Sequence, residues 1–137
     1  MATSGSGYSG TPLPKKLEIK DGYRVETIGA PTGFVTRLGP LPKGAVVRRG
    51  LTPSRDLTIW FVTSRRQLEG DIRRVVPARG TGSLWVAWPK KASGLKTDLT
   101  EDVLRAVILP LGLVDRKVCA IDATWSGLLF SWRRRAV

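Results

Sequence analysis

Two runs of this sequence are apolar at nearly every position: Leu57-Thr58-Ile59-Trp60-Phe61-Val62 and Leu84-Trp85-Val86-Ala87-Trp88. Unbroken β-branched and aromatic runs of this length suit parallel strands buried on both faces. Between them, Leu68, Ile72, Val75 and Val76 recur at i, i+4, i+7 and i+8 across residues 65–76. This is a helical period, with Thr63-Ser64 placed to cap its start and Pro77 to stop it. Strand, helix and strand form a βαβ unit, so the two strands are expected to run parallel through a right-handed crossover.

A second helical stripe follows in Leu99, Val103, Val107 and Leu111, widened by Leu104 and Ile108 and closed by Pro110 and Gly112. Asp98, with Glu101 three residues on, is expected to cap its start. Residues 116–121 and 128–132 read as strands joined through 122–127, a hairpin at the sheet edge. The first third of the chain is weaker in pattern. Residues 1–14, rich in Gly, Ser, Thr and Pro, are expected to be a flexible lead-in. A helical turn over 15–19, a strand over 24–28, a turn at Gly29-Ala30-Pro31-Thr32-Gly33, a brief helix over 34–38 and a strand over 45–48 follow. The expected fold is a three-layer α/β, Rossmann-like single domain over 15–137. Its mostly parallel sheet has five to six strands and an antiparallel C-terminal edge hairpin.

Composition narrows the chemistry. The 137 residues, 42% hydrophobic, are enough for one core. There is no histidine, and Cys119 is the one cysteine. Internal disulfides, multi-cysteine metal sites and Ser-His or Cys-His catalytic pairs are therefore excluded, leaving carboxylates, lysine or a bound cofactor for any catalysis. No apolar run approaches the roughly 20 residues that span a bilayer and no secretory pattern opens the chain, so no membrane association and a cytoplasmic location are expected. The net charge of +12 favours anionic partners. Its clusters, Arg48-Arg49, Arg65-Arg66, Arg73-Arg74, Lys90-Lys91 and Arg133-Arg134-Arg135, also suit merely solvated faces.

Several blocks carry a resemblance. They are Tyr8-Ser9-Gly10-Thr11-Pro12-Leu13, Lys15-Lys16-Leu17, Gly29-Ala30-Pro31, Phe61-Val62-Thr63-Ser64, the long Leu84-Trp85-Val86-Ala87-Trp88-Pro89-Lys90-Lys91-Ala92-Ser93-Gly94, and Thr97-Asp98-Leu99-Thr100-Glu101-Asp102. Leu111-Gly112-Leu113-Val114-Asp115, Val118-Cys119-Ala120-Ile121-Asp122 and Trp125-Ser126-Gly127-Leu128 complete the set. From about Tyr8 to Trp132 the chain resembles a family of short bacterial proteins catalogued as a domain of unknown function. The resemblance implies a small α/β protein whose second half is similar to the back half of a class I methyltransferase, and it implies no established activity. Glu26 and Thr27 make the first strand more polar than the family pattern.

A dinucleotide or S-adenosylmethionine fold needs a glycine-rich turn after its first strand and an acid for the ribose. Gly29–Gly33 offers two glycines at the wrong spacing, stiffened by Pro31. No cofactor is therefore expected; S-adenosylmethionine or a nucleotide belongs to the alternative of a degenerate methyltransferase-like enzyme. The stronger candidate is the Lys90–Asp98 loop. There Lys90, Lys91, the hydroxyls of Ser93 and Thr97, a permissive Gly94 and a helix start can hold a phosphate or carboxylate, with Thr63 and Ser64 on the same rim. Asp98 and Glu101 partly neutralise it, and the alternative is a tight structural loop. The expected function is a non-catalytic binding or regulatory module for a small anion, a nucleotide-type ligand or a protein partner.

Cys119, mid-strand and with no basic neighbour expected, reads as inert core. Asp115 and Asp122 read as turn formers before catalytic acids. The five tryptophans read as packing, with Trp88 and Trp125 alternatively lining a pocket. Nucleic acid is the rival partner, through Arg65, Arg66, Arg73 and Arg74 on one helix and Arg133, Arg134 and Arg135 beside Trp132. No helix-turn-helix, zinc-finger, RRM or KH signature accompanies them.

Overall fold

The computed structural model describes residues 10–79 and 82–134. Six strands form one sheet in the order β2-β1-β3-β4-β6-β5. They are β1 (Arg24–Ile28), β2 (Val46–Arg49), β3 (Leu57–Phe61), β4 (Ser83–Pro89), β5 (Leu113–Ala120) and β6 (Trp125–Trp132). The first four pair in parallel; β6 runs antiparallel to both β4 and β5. The expected α/β, Rossmann-like architecture with an antiparallel C-terminal pair is the one observed. Helices α1 (Leu13–Lys16), α2 (Phe34–Leu38), α3 (Arg65–Val75) and α4 (Glu101–Ile108) complete it.

The period of two along the strands divides the apolar residues between two cores. Leu57, Ile59 and Phe61 of β3 join Trp85 and Ala87 of β4 and Leu129 of β6 on the side of α1 and α2. Trp60, Val62, Leu84, Val86, Trp88, Leu128 and Phe130 face α3 and α4 on the other. Leu68, Ile72 and Val75 are the buried stripe of α3, and Leu104 and Ile108 that of α4. Because both central strands are covered on both faces, every residue of β3 is buried, which accounts for the unbroken apolar run.

The polar first strand is central too. Glu26 is fully buried, and its carboxylate accepts hydrogen bonds from the Thr52 N–H and Thr52 Oγ1, both at 2.6 Å. Arg55 then ties the β2–β3 connection down by donating to Thr58 Oγ1 (2.6 Å), the Thr52 carbonyl (2.9 Å) and the Val75 carbonyl at the end of α3 (2.8 Å). A buried carboxylate is tolerated here because its lone pairs meet donors placed by the crossover.

Helix α1 begins at Leu13 with Pro14 buried, inside the stretch expected to be flexible; residues 1–9 lie outside the described residues. Its exit is fixed by Trp85 Nε1 donating to the Leu17 carbonyl (2.9 Å) and by Lys16 Nζ donating to the Ala120 carbonyl (2.9 Å). Edge strand β5 carries Arg116, Lys117 and a bulge between Asp115 and Lys117, devices that discourage pairing with another sheet. No helix among the described residues is long and apolar enough to cross a membrane.

Candidate functional site

In an open α/β sheet, ligands settle beyond the carboxyl ends of the strands where the strand order reverses. Here the reversal lies between β1 and β3, and it is closed. Gly29 has φ +71°, and a Cβ built on it would stand 2.8 Å from the Phe61 carbonyl oxygen, so the β1 turn presses on the β3 backbone. The glycine is needed for that approach, not for a cofactor's. The hollow beside it, of about 350 Å³, is lined by Thr27, Ala30, Pro31, Gly33, Phe34, Val35, Thr36, Arg48 and Arg49. It holds no carboxylate; Arg49 stands 20 residues after Gly29, where a dinucleotide fold places its ribose acid. Among the described residues, this hollow offers a ribose diol no acid.

The second opening lies at the end of β4. A cleft of about 580 Å³ is lined by Trp88, Pro89, Lys90, Lys91, Thr97, Asp98, Leu99, Thr100, Glu101, Asp102 and Ser126. The Leu84–Gly94 and Thr97–Asp102 blocks, far apart in character, thus face each other across one hollow, with Ser126 beside Trp88 in the β4–β6 register. After β4 the Lys90 N–H donates to the Thr124 carbonyl (2.8 Å), a short 3-10 turn spans Lys91–Ser93, and Gly94 takes φ +81°. The chain then runs without regular structure to Thr100.

Of the expected ligands, Lys90, Lys91 and Thr97 line the cleft; Ser93, Thr63 and Ser64 do not. The hydroxyls are also committed. Ser93 Oγ donates to the Lys90 carbonyl (2.6 Å) and accepts the Leu95 N–H (3.1 Å). Thr97 Oγ1 donates to the Thr63 carbonyl (2.6 Å) and accepts the Leu99 N–H (3.1 Å). Ser64 Oγ accepts the Gln67 N–H at 3.1 Å, the N-cap of α3 that its position predicts. These three side chains shape the rim; the two lysines remain to meet an anion.

Asp98 corrects a second expectation. It does not cap α4, whose N-cap is Thr100, with Oγ1 accepting the Val103 N–H at 3.2 Å. The irregular run through 94–100 delays the helix by two residues and carries Asp98 beside α3, where Oδ1 accepts the Arg65 N–H at 2.8 Å. The positive pole of α3 is therefore already met by a carboxylate of this chain. Glu101 and Asp102 turn to Arg105, at 2.8 and 3.5 Å. Among the described residues, no carboxylate pairs with Lys90 or Lys91.

Elsewhere, Asp122 Oδ1 accepts the N–H groups of Thr124 and Trp125, both at 2.8 Å, which makes it a turn former, and Asp115 pairs with Arg105 at 3.1 Å. Trp125 packs edge-on against Phe61 in the core, whereas Trp88 floors the cleft. Burial pushes the Cys119 thiol up, and Lys16, Lys117 and Lys90 lie near enough to oppose that, so the expectation of no basic neighbour is corrected. Lys117 stands two residues before Cys119 on the same face of β5, as strand alternation indicates, whereas Lys16 of α1 and Lys90 after β4 are brought there only by the fold. Arg65, Arg66, Arg73 and Arg74 are exposed on α3, where Arg65 pairs with Glu69 and Arg74 with Asp71. Arg133 and Arg134 sit at the opposite end of the sheet from the cleft; Arg135 lies outside the described residues.

No family model matches the sequence, and no curated protein matches it significantly. Solved structures do match in fold. The fibrillarin pre-rRNA processing protein of Methanococcus jannaschii is 13% identical at a TM-score of 0.59, over 91% of this chain and 77% of that one. A putative type 11 methyltransferase from Sulfolobus solfataricus is 11% identical at 0.57, over 91% and 92%. A SAM dependent methyltransferase from Aquifex aeolicus is 12% identical at 0.53, over 85% of each. What this chain shares with them, at these identities, is the methyltransferase-like Rossmann fold.

Proposed function

We propose that this protein is a non-catalytic binding module on a methyltransferase-like Rossmann fold, taking a small phosphate-bearing anion of nucleotide type in the cleft at the end of β4. The observation that carries the reading is the sorting of charge there. Each of the three carboxylates has a partner within the chain, Arg65 N–H or Arg105, while Lys90 and Lys91 line the hollow with no acid partner among the described residues. Trp88 and Leu99 supply an apolar floor on which a base can lie beside a phosphate held by the lysines. The competing reading, a degenerate S-adenosylmethionine-dependent enzyme, is favoured by the fold of the structural neighbours and disfavoured by the closure of Gly29 on Phe61.

Thermal-shift and calorimetric titrations with inorganic phosphate, AMP, GMP and S-adenosylmethionine test it. A nucleoside monophosphate should raise the melting temperature more than phosphate alone, and Lys90→Ala/Lys91→Ala should abolish the shift. Ligand at about 100 times its Kd adds about 2.7 kcal/mol of stability, which is readily seen. A shift with S-adenosylmethionine instead would favour the degenerate enzyme, and anion shifts untouched by the double variant would remove the cleft from consideration.

A further inference from the structure

At the other end of the sheet, three arginines line one hollow whose described lining holds no acid. Arg79, Arg133 and Arg134 line a hollow of about 470 Å³ together with Leu109, Pro110 and Gly112. Among the described residues, none of the three arginines is in an ion pair. Arg79 is held in place. Its guanidinium carbon lies 4.5 Å over the centre of the Trp132 ring. Trp132 is itself fixed by Nε1 donating to the Pro77 carbonyl at 3.0 Å. Gly112 makes room, because at φ +106° a Cβ there would stand 3.1 Å from Arg79 Nη2 and 3.4 Å from the Trp132 ring. The Arg133 N–H donates to the Gly112 carbonyl at 2.9 Å, fixing the backbone that carries the second arginine.

Like charges gathered in one hollow repel, and a stacked guanidinium retains its in-plane N–H donors. Such a fork matches the two oxygens of a phosphate. Arg73, in the last turn of α3, is exposed and among the described residues in no ion pair, and the chain leaving α3 passes directly to Pro77, on which Trp132 is anchored. Successive cations along one surface suit a ligand with successive phosphates, whereas a small anion needs only one enclosed site. We infer that Arg79, Arg133 and Arg134 form a second anion site, at the end of the sheet opposite the cleft, that takes the phosphodiester backbone of a nucleic-acid strand without reading its sequence. The stack on Trp132 positions Arg79 and leaves the bases unrecognised.

The test is fluorescence anisotropy with a labelled 20-nucleotide single-stranded RNA of mixed sequence, titrated across salt, with inorganic phosphate and AMP as competitors. In the triple variant Arg79→Gln/Arg133→Gln/Arg134→Gln affinity should fall by about tenfold or more at low salt, and the slope of log affinity against log salt should flatten by about two. The charge-matched variant Lys20→Gln/Lys43→Gln/Lys96→Gln should stay within about threefold of the parent. Arg79→Lys keeps the charge but loses the fork, and should weaken binding several-fold. Lys90→Ala/Lys91→Ala should bind RNA as the parent does, which separates this site from the cleft. Circular dichroism confirms that each variant is folded. Equal losses in the two triple variants, no RNA binding by the parent at low salt, or AMP competing as effectively per phosphate as RNA would each overturn the inference.

Discussion

The carboxylate of Asp98 accepts the backbone N–H of Arg65 at 2.8 Å, joining the loop after β4 to the first residue of α3. The positive pole of α3, on the rim of the expected anion site, is thus met from within. Thr97 makes the adjoining link to the Thr63 carbonyl, so the loop that carries Lys90 and Lys91 is stitched to the end of β3 at two successive residues. The lysines gain a rigid mounting.

Removing this cap should loosen both elements. Asp98→Ala is expected to cost about 1 kcal/mol of unfolding free energy, and Asp98→Asn less, since an amide oxygen still accepts the N–H. Urea unfolding monitored by tryptophan fluorescence checks the ranking; equal midpoints for Asp98→Ala and the parent would show the bond to be without consequence.

Two glycines with similar positive φ should respond differently. Gly29→Ala would set its Cβ 2.8 Å from the Phe61 carbonyl oxygen, a backbone atom that cannot swing aside, so strain and clash together should cost more than about 2 kcal/mol. Gly94→Ala, with nothing within 4 Å, should cost about 1 kcal/mol from the left-handed backbone alone. Thermal melts of the two proteins give the comparison directly.

Glu26 should make the fold acid-sensitive. Burial acts to raise its pKa, but the hydrogen bonds from Thr52 and the charges of Arg55 and Arg24 outweigh it and hold the carboxyl below its ordinary value. A group whose pKa is lower folded than unfolded stabilises the fold above its unfolded pKa, and that contribution disappears as pH falls through the depressed folded value. Thr52→Val, which keeps the shape and removes the hydroxyl donor, should cost about 2 kcal/mol at neutral pH, and the loss should shrink toward acid as Glu26 protonates. Denaturant midpoints measured from pH 7 down to pH 3 would show the two curves converging; a constant gap would point to packing instead of charge.

Cys119 should be a slow thiol. Because burial raises its pKa despite three lysines, less thiolate is present at neutral pH in the folded protein than in the unfolded chain. Alkylation by iodoacetamide should accordingly run slower in native protein than in urea, and the native rate should keep rising with pH beyond the ordinary cysteine range.

Much of this was legible from residue patterns. The central strands announce themselves because β3 and β4 are covered on both faces, and the stripe Leu68, Ile72, Val75 fixes α3 within a residue. Strand β1 lies at its expected bounds, although the burial of its carboxylate depends on Thr52, 26 positions away. Strands β5 and β6 each begin three residues earlier than expected, at Leu113 and Trp125, because β5 is a charged edge whose alternation is broken by a bulge and β6 pairs with it over its whole length. At the cleft, Lys90 and Lys91 were visible as a pair following a strand, as was the Ser64 cap of α3, but the engagement of Ser93 and Thr97 was not. A hydroxyl within a polar loop looks the same whether it points into the loop or out of it. Arg79 was missed altogether. Its partner Trp132 lies 53 positions on, and only the sheet's return brings the two together.

That return also sets a timetable for folding. β6 is both last in sequence and wedged between β4 and β5, so the hydrogen-bonding edge of β4 stays bare until the final strand has emerged and turned back. During synthesis the apolar ribbon Leu84–Trp88 would wait with one side unzipped, vulnerable to a neighbouring nascent chain and a natural place for a chaperone to hold.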